Sequence, residues 1–371
     1  MYDGVLRLPF PTNTTVVGFA DDIAVVTVAK HIWQIEAASN VAISQVKSWL
    51  ESVNLKLADQ KTEAVLISSR KQVEYMTVRV GEELITSRRS VKYLGVILDD
   101  RLSFKPHLKY AAEKASKIQT SLARILPNIG GPKYAKRKLL AAVVSSVLLY
   151  AAPVWADALN TSSSRRKLTS LYRLSSLRII SGFRTISDEA AFVIAGTIPI
   201  DIIAKGAKRI YERALLNRSL KREISKAERE TSMEEWQARW DASTKGRWTY
   251  CLIPDISVWI NRTHGEMNYY LTQFFSGHGC FRNYLYKFGH DGSPFCPTCA
   301  DKEENAEHVM FNCIRFRITG YPVMEPRSTV AHMIQDLRNW NEINADTTKV
   351  LVELRRMERA RHDERSHPID R

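Results

Sequence analysis

Residues 16–26 read Val16-Val17-Gly18-Phe19-Ala20-Asp21-Asp22-Ile23-Ala24-Val25-Val26. Two apolar, β-branched runs flank a pair of adjacent carboxylates, which predicts a β-hairpin carrying both acids at its tip. Like charges held this close repel unless a cation sits between them. Hard oxygen ligands suit Mg²⁺, and two-metal sites use them for in-line nucleotidyl displacement. The plainer alternative is an acidic hairpin turn facing solvent.

The segments that follow arrive in a set order. Asn54-Leu55-Lys56-Leu57 leads to Lys61-Thr62-Glu63-Ala64-Val65-Leu66-Ile67, then to Val91-Lys92-Tyr93-Leu94-Gly95-Val96-Ile97-Leu98-Asp99 and to Tyr150-Ala151-Ala152-Pro153-Val154-Trp155. With Phe19-Ala20-Asp21-Asp22 ahead of them, these blocks resemble the reverse transcriptases of non-LTR, LINE-type retrotransposons. Within that family the likeness is to insect elements of the jockey-like or ribosomal-DNA-inserting kind.

The resemblance implies that Asp21 and Asp22 hold the Mg²⁺ ions of a polymerase site, with Asp21 the indispensable one. Lys61 matches the lysine that protonates the leaving pyrophosphate, although a surface lysine ending a loop would look the same. Tyr93, Leu94 and Gly95 would position the primer, Gly95 because a backbone pressed against nucleic acid leaves no room for a side chain. The implied partners are an RNA template and a DNA primer or target, in a ribonucleoprotein of nucleus and cytoplasm.

One departure qualifies that activity. The family's site uses a third aspartate on a strand well upstream of the hairpin, together with fingers. Neither fits into the 18 residues before Phe19, and Asp3 is too near to substitute. The expectation is therefore the C-terminal part of a reverse transcriptase, inactive alone unless an upstream part of the polymerase joins it. The alternative is a non-enzymatic nucleic-acid-binding remnant. The Pro-Asp…Asp pattern of a C-terminal restriction-like nuclease is not seen.

Composition agrees with a nucleic-acid partner. The 371 residues carry a net charge of +14, an excess that favours a polyanion. No basic-then-apolar leader opens the chain, and the longest apolar run, 139–152, is too short to span a bilayer, so no membrane is expected. The expected fold class is α+β in three parts: half a polymerase palm (1–100), a helical thumb (101–235), and a helical C-terminal domain with a zinc knuckle (236–371).

In the first part, apolar positions across 31–53 recur at helical spacing, and strands are expected at Glu63–Ser68, Met76–Val80, Glu83–Thr86 and Val91–Leu98. From 104 to 126, Leu108, Ala111, Ala115, Ile118, Leu122 and Ile125 share one helical face, interleaved with Lys105, Lys109, Lys114 and Lys117. A second helix runs from Pro132 through Lys136, Arg137 and Lys138 until Pro153 stops it. A third, Ser164–Ile180, carries Arg165, Arg166, Lys167, Arg173 and Arg178. Any one such face can be plain solvated surface. Three in succession beside a palm suggest a nucleic-acid grip.

Pro199 restarts the chain into one helix, 200–229, with Ile203, Ala207, Ile210, Ala214 and Leu215 inward. Ser232 then caps a Trp-rich hinge. Beyond Thr249 aromatics crowd two short helices punctuated by Gly277 and Gly289, for which core packing is the preferred reading over base stacking. Helices are expected at 329–341 and 343–359, followed by a basic tail without fixed structure.

Five cysteines without a paired framework indicate a reducing compartment. Cys296-Pro297-Thr298-Cys299 has the two-residue spacing that lets both thiolates reach one ion, and His308 and Cys313 supply a second pair after eight intervening residues. Four protein ligands close a tetrahedron around a structural Zn²⁺. Cys251 and Cys280 read as core thiols.

Overall fold

Val16, Gly18, Ile23 and Val25 lie on the face of the first hairpin that turns toward a long helix, and that packing organises the N-terminal third of the chain. The structure is a computed structural model that describes residues 2–316 and 325–366. It contains two compact units, 1–109 and 110–371. The fold is mixed α+β, with short sheets in the first unit and helices throughout the second.

In the first unit β1 (Thr14–Phe19) pairs antiparallel with β2 (Asp22–Thr27), Phe19 opposite Asp22. The two-residue turn is made possible by Ala20, whose φ of 53° supplies the positive backbone angle such tight turns need. Helix α1 (Ile32–Ser52) presents Ser39, Ala42, Val46 and Leu50, a stripe at helical period, to the interior. Val5 joins Val46 and Leu50 in the core, with Leu8, Phe10, Ile23, Trp49 and Leu57 packed around them. The expected extended arm at the start is instead a short 3-10 helix, Tyr2–Arg7.

A second hairpin pairs β3 (Thr77–Val80) with β4 (Glu83–Thr86). Strand β3 has its outer N–H groups met by α1: Glu36 Oε1 accepts from Thr77 N at 2.8 Å and Asn40 Oδ1 from Arg79 N at 2.8 Å. The helix thus covers an edge that would otherwise be open to pairing.

Two strand expectations need correction. Residues 63–68 form no strand; Val65 makes only a single parallel bridge to Arg88. Residues 91–98 are not one strand but a hairpin, β5 (Ser90–Tyr93) and β6 (Val96–Asp99), reversed at Leu94 (φ 44°) and Gly95 (φ 81°).

Helix α2 (Lys105–Ile125) spans the division between the units. Leu108, Ala111 and Ala115 are buried as expected, whereas Ile125 is exposed. Then come α3 (Tyr134–Leu148), α4 (Ala152–Trp155) and α5 (Ser162–Ile179). Pro153 does not end α3 but sits in the first turn of α4, where its missing N–H costs nothing.

Next follow α6 (Asp188–Ala195), α7 (Ile200–Leu216) and α8 (Lys221–Ala242). The single helix expected over 200–229 is broken at Asn217. The buried residues of α7 are Ile200, Asp201, Ile202, Ala204 and Gly206, while Leu215 is exposed. Ser232 caps nothing: it lies inside α8, and Trp236 and Trp240 beside it are fully buried rather than forming a hinge. The expected boundary at 235/236 falls within that same helix. Arg239 of α8 binds Glu189 of α6 and Asp201 of α7, locking the three helices together through a largely buried ion triad.

The remaining helices are α9 (Arg247–Leu252), α10 (Ile256–Ile260), α11 (Tyr269–Ser276), α12 (Arg282–Lys287), α13 (Pro326–Met333) and α14 (Leu337–Ser366). Phe274, Phe275, Phe281, Trp259 and Trp340 fill the core here. Cys280 is buried as expected, but Cys251 is exposed. Of the basic tail, the helix continues to Ser366 and residues 367–371 lie outside the described residues. No single helix among the described residues is long and apolar enough to cross a membrane.

Candidate metal centre and nucleic-acid interface

The metal cluster is built from two local devices. A narrow loop is closed by the antiparallel bridge of Phe295 with Glu303, by Cys296 N donating to Lys302 O at 2.8 Å and by Glu304 N donating to Pro294 O at 2.9 Å. This turn brings Cys299 back over Cys296, so that Cys299 N donates to Cys296 Sγ at 3.4 Å. The second device is a π-helical turn, His308–Asn312, closed by Cys313 N donating to His308 O at 2.7 Å. Widened turns of this kind recur at functional sites because the extra residue re-aims side chains.

Together they bring the ligand atoms of Cys296, Cys299, His308 and Cys313 within 4.8 Å of one another. The Sγ atoms of Cys296 and Cys313 are 3.8 Å apart. Two sulfurs each about 2.3 Å from one tetrahedral ion stand about 3.8 Å apart. His308 Nε2 is buried without a hydrogen-bond partner, and burial, followed by the charge of Arg315, lowers the pKa of its imidazole and so favours the neutral, ligating form. The donor set therefore fits a metal ion.

Arg315 had no signal in the sequence reading. Its Nε donates to Cys313 Sγ at 3.3 Å and its Nη2 to Cys296 Sγ at 3.2 Å, while Nη2 also pairs with the fully buried Glu304. Burial raises the Cys296 thiol, but the N–H groups of Cys299 and Thr298 and the Arg315 charge outweigh it, leaving the pKa below the usual range. For Cys313 burial prevails over the same guanidinium, and its pKa is raised.

The acidic pair lies elsewhere. Asp21 occupies the β1–β2 turn and Asp22 the first position of β2, both exposed. Asp22 shares the outer face of the hairpin with Val17, Phe19 and Val26, of which Phe19 is 62% exposed. The group of three or more metal-capable side chains found among the described residues is the Cys/His cluster, and the two aspartates are not part of it. Lys61 ends a short 3-10 turn, Asp59–Lys61, and is exposed. Tyr93, Leu94 and Gly95 form the β5–β6 reversal.

The lysines Lys105, Lys109, Lys114 and Lys117 all lie exposed along α2, as do Lys136 and Lys138 on α3. Arg137 must be removed from that set. It is 3% exposed and donates to Pro132 O at 2.8 Å, Arg178 O at 3.0 Å and Pro127 O, which makes it a fastener of the chain. Arg173 is likewise turned inward, onto Ile186 O and Arg184 O, whereas Arg165, Arg166 and Lys167 remain exposed.

Comparison with known proteins gives the chain its relatives. It is a protein related to the reverse transcriptases of non-LTR retrotransposons. The particular relatives are Pol polyproteins of type-1 retrotransposable elements of the R1 kind. One, from R1 2 of Nasonia vitripennis, is 26% identical over 322 residues, covering 81% of this chain and 78% of that protein. Another, from R1 of the same wasp, is 26% identical over 325 residues and 95% of its own length. A 115 kDa protein in element R1DM of Drosophila melanogaster is 26% identical over 314 residues, which are 80% of this chain and 30% of the relative. No family model matches the chain, and no solved structure matches it.

Proposed function

We propose that the chain is the part of a retrotransposon reverse transcriptase that runs from the catalytic hairpin to a zinc-binding end, and that its own activity is to hold nucleic acid. The observation that carries this reading is the likeness to Pol polyproteins over 81% of the chain, a share too large to fall within either compact unit alone. On this reading β1–β2 belongs to a palm, the helices over 101–235 form a thumb, and those over 236–371 form the zinc-binding C-terminal domain. Lys105, Lys109, Lys114, Lys117, Lys136 and Lys138 contact the phosphates of an RNA template and a DNA primer or target. Phosphate contacts of this sort give sequence-tolerant, salt-dependent affinity.

The ion at Cys296, Cys299, His308 and Cys313 is Zn²⁺, since three thiolates and an imidazole within one tetrahedron suit that metal over harder ones. With all four positions taken by protein, its role is to fold the segment around it. Metal analysis by mass spectrometry supports the site if wild type carries one equivalent that His308→Ala loses. A folded wild type without zinc would sink it.

Asp21 and Asp22 would bind Mg²⁺ in a polymerase site completed by further carboxylates. Because they stand outside any larger acidic group among the described residues, the chain alone is proposed not to polymerise. Primer extension on an RNA template with Mg²⁺ should give no product above an Asp21→Ala control. The second reading, a purely nucleic-acid-binding protein, rests on the absence of a third carboxylate beside the pair among the described residues. Synthesis gained when upstream polymerase sequence is supplied would exclude it.

A further inference from the structure

Helix α12 is fastened to the metal loop on one side. Asn283 N donates to Glu304 O at 3.1 Å, and Arg282 pairs with the buried Asp291 at 3.0 Å. Its other side carries Tyr284, with Phe288 following one helical turn later and the exposed Lys287 between them in sequence. The rings of Tyr284 and Phe288 have centroids 4.9 Å apart, and the His278 ring lies 4.9 Å from Tyr284 on a further side.

This aromatic group is held in place rather than loosely exposed. Thr185 Oγ1 lies 2.7 Å from Tyr284 Oη and 3.0 Å from His278 Nδ1, so one hydroxyl links both rings. Phe183 backs the cluster, 6.1 Å from Tyr284. Yet the outermost ring is open: Phe288 is 49% exposed.

The charge around the group is cationic. The ionisable side chains facing His278 are Lys287 and Arg173, with Asp188 lying beside Arg173. Lys287 is exposed, as is Arg184 next to Thr185. A pre-set aromatic face with an exposed lysine on the same helix suits a strand of unpaired bases. Each base offers a π-face to stack, and the phosphates between them meet the charge of Lys287. An apolar protein partner would use the ring but gain nothing from the exposed cation of Lys287. A duplex keeps its bases stacked on one another and has none to offer.

We propose that Tyr284 and Phe288, with Lys287 between them in sequence, form a stacking platform for single-stranded nucleic acid beside the metal loop. It rests on the nucleic-acid reading above but uses a different surface from the lysines of α2 and α3. The variant Phe288→Leu keeps the apolar bulk and removes the π-face, and Phe288→Tyr restores it.

The test is fluorescence anisotropy on the full chain with labelled 12-nucleotide oligo(U), oligo(dT) and a 12-base-pair duplex. One equivalent of zinc and an unchanged melting midpoint certify each variant as folded. Wild type should bind the single strands, and Phe288→Leu should weaken them by about 5-fold to about 100-fold while the duplex affinity holds. Phe288→Tyr should bind as wild type does. Equal losses for single strand and duplex, or no loss for either single strand, overturn the platform. A wild type that binds none of the three probes overturns instead the broader reading on which the platform rests.

Discussion

The Nε of Arg315 donates to Cys313 Sγ across 3.3 Å, while the far end of the same guanidinium reaches Cys296 Sγ at 3.2 Å. Two of the three cluster sulfurs are therefore held by one rigid fork, itself fixed by the buried carboxylate of Glu304. Donors to a metal's ligands orient them and tune their basicity, and their loss typically costs about 10-fold to about 100-fold in metal affinity. Arg315→Met should lower zinc affinity by that factor in competition with a coloured chelator. Arg315→Lys keeps the charge but loses the fork, so it should fall between the two. Affinity unchanged in both variants would show that the fork does not support the metal.

His278 makes stability depend on pH. Burial first, then the charges of Lys287 and Arg173, bring its pKa down to about 4 from the usual value of 6.5. Below about pH 6.5 the unfolded chain takes up a proton that the folded chain refuses, so stability falls as pH drops and stops falling near pH 4. Between pH 7 and pH 5 this histidine alone accounts for about 2 kcal/mol. Zinc ligands also take up protons in acid, so the comparison is with His278→Gln. Urea unfolding at both pH values should show the wild type losing that much more than the variant.

Arg137 and Lys138 are adjacent and should behave oppositely. Arg137 is buried and satisfies three backbone carbonyls, which its removal would strand. Arg137→Ala should cost about 3 kcal/mol of unfolding free energy, whereas the salt dependence of nucleic-acid binding by its folded fraction stays as in wild type. Lys138→Ala should leave stability within about 0.5 kcal/mol and flatten that salt dependence. The reverse pattern would return Arg137 to the binding surface.

That pair also shows where the sequence was legible and where it was not. Arg137, Ala141, Val144 and Leu148 share a stripe at helical spacing and are all buried. The period was there to be read, but the charge of Arg137 grouped it with its lysine neighbours. The β1–β2 hairpin and α1 were legible because each has one strong period, two or near 3.6, and one buried face. Residues 91–98 misled because their β-forming residues, Val91, Tyr93, Val96 and Ile97, hide a reversal that depends on left-handed backbone at Leu94 and Gly95. The Cys/His set was legible from spacing alone. Arg315 was not, since its reach to Cys296 exists only once the loop and the π-turn have folded together.

Gly265 supplies the last prediction. Its φ is +87°, in the region that disfavours any residue with a side chain, and an added Cβ would lie 2.3 Å from Trp340 Cδ2. Trp340 cannot retreat easily. It is 1% exposed, its ring centroid is 5.9 Å from that of Trp259, and Arg262 lies over both rings at 3.8 and 5.3 Å. Gly265→Ala therefore meets two separate costs, about 1–2 kcal/mol for the left-handed backbone and about 1–3 kcal/mol for overpacking. Trp340→Leu removes the obstacle but leaves the backbone strain. In the double variant the alanine should cost only the backbone strain, so the single losses should not add. Unfolding free energies of the two single variants and the double close the cycle, and strict additivity would mean that Trp340 is not what excludes a side chain at position 265.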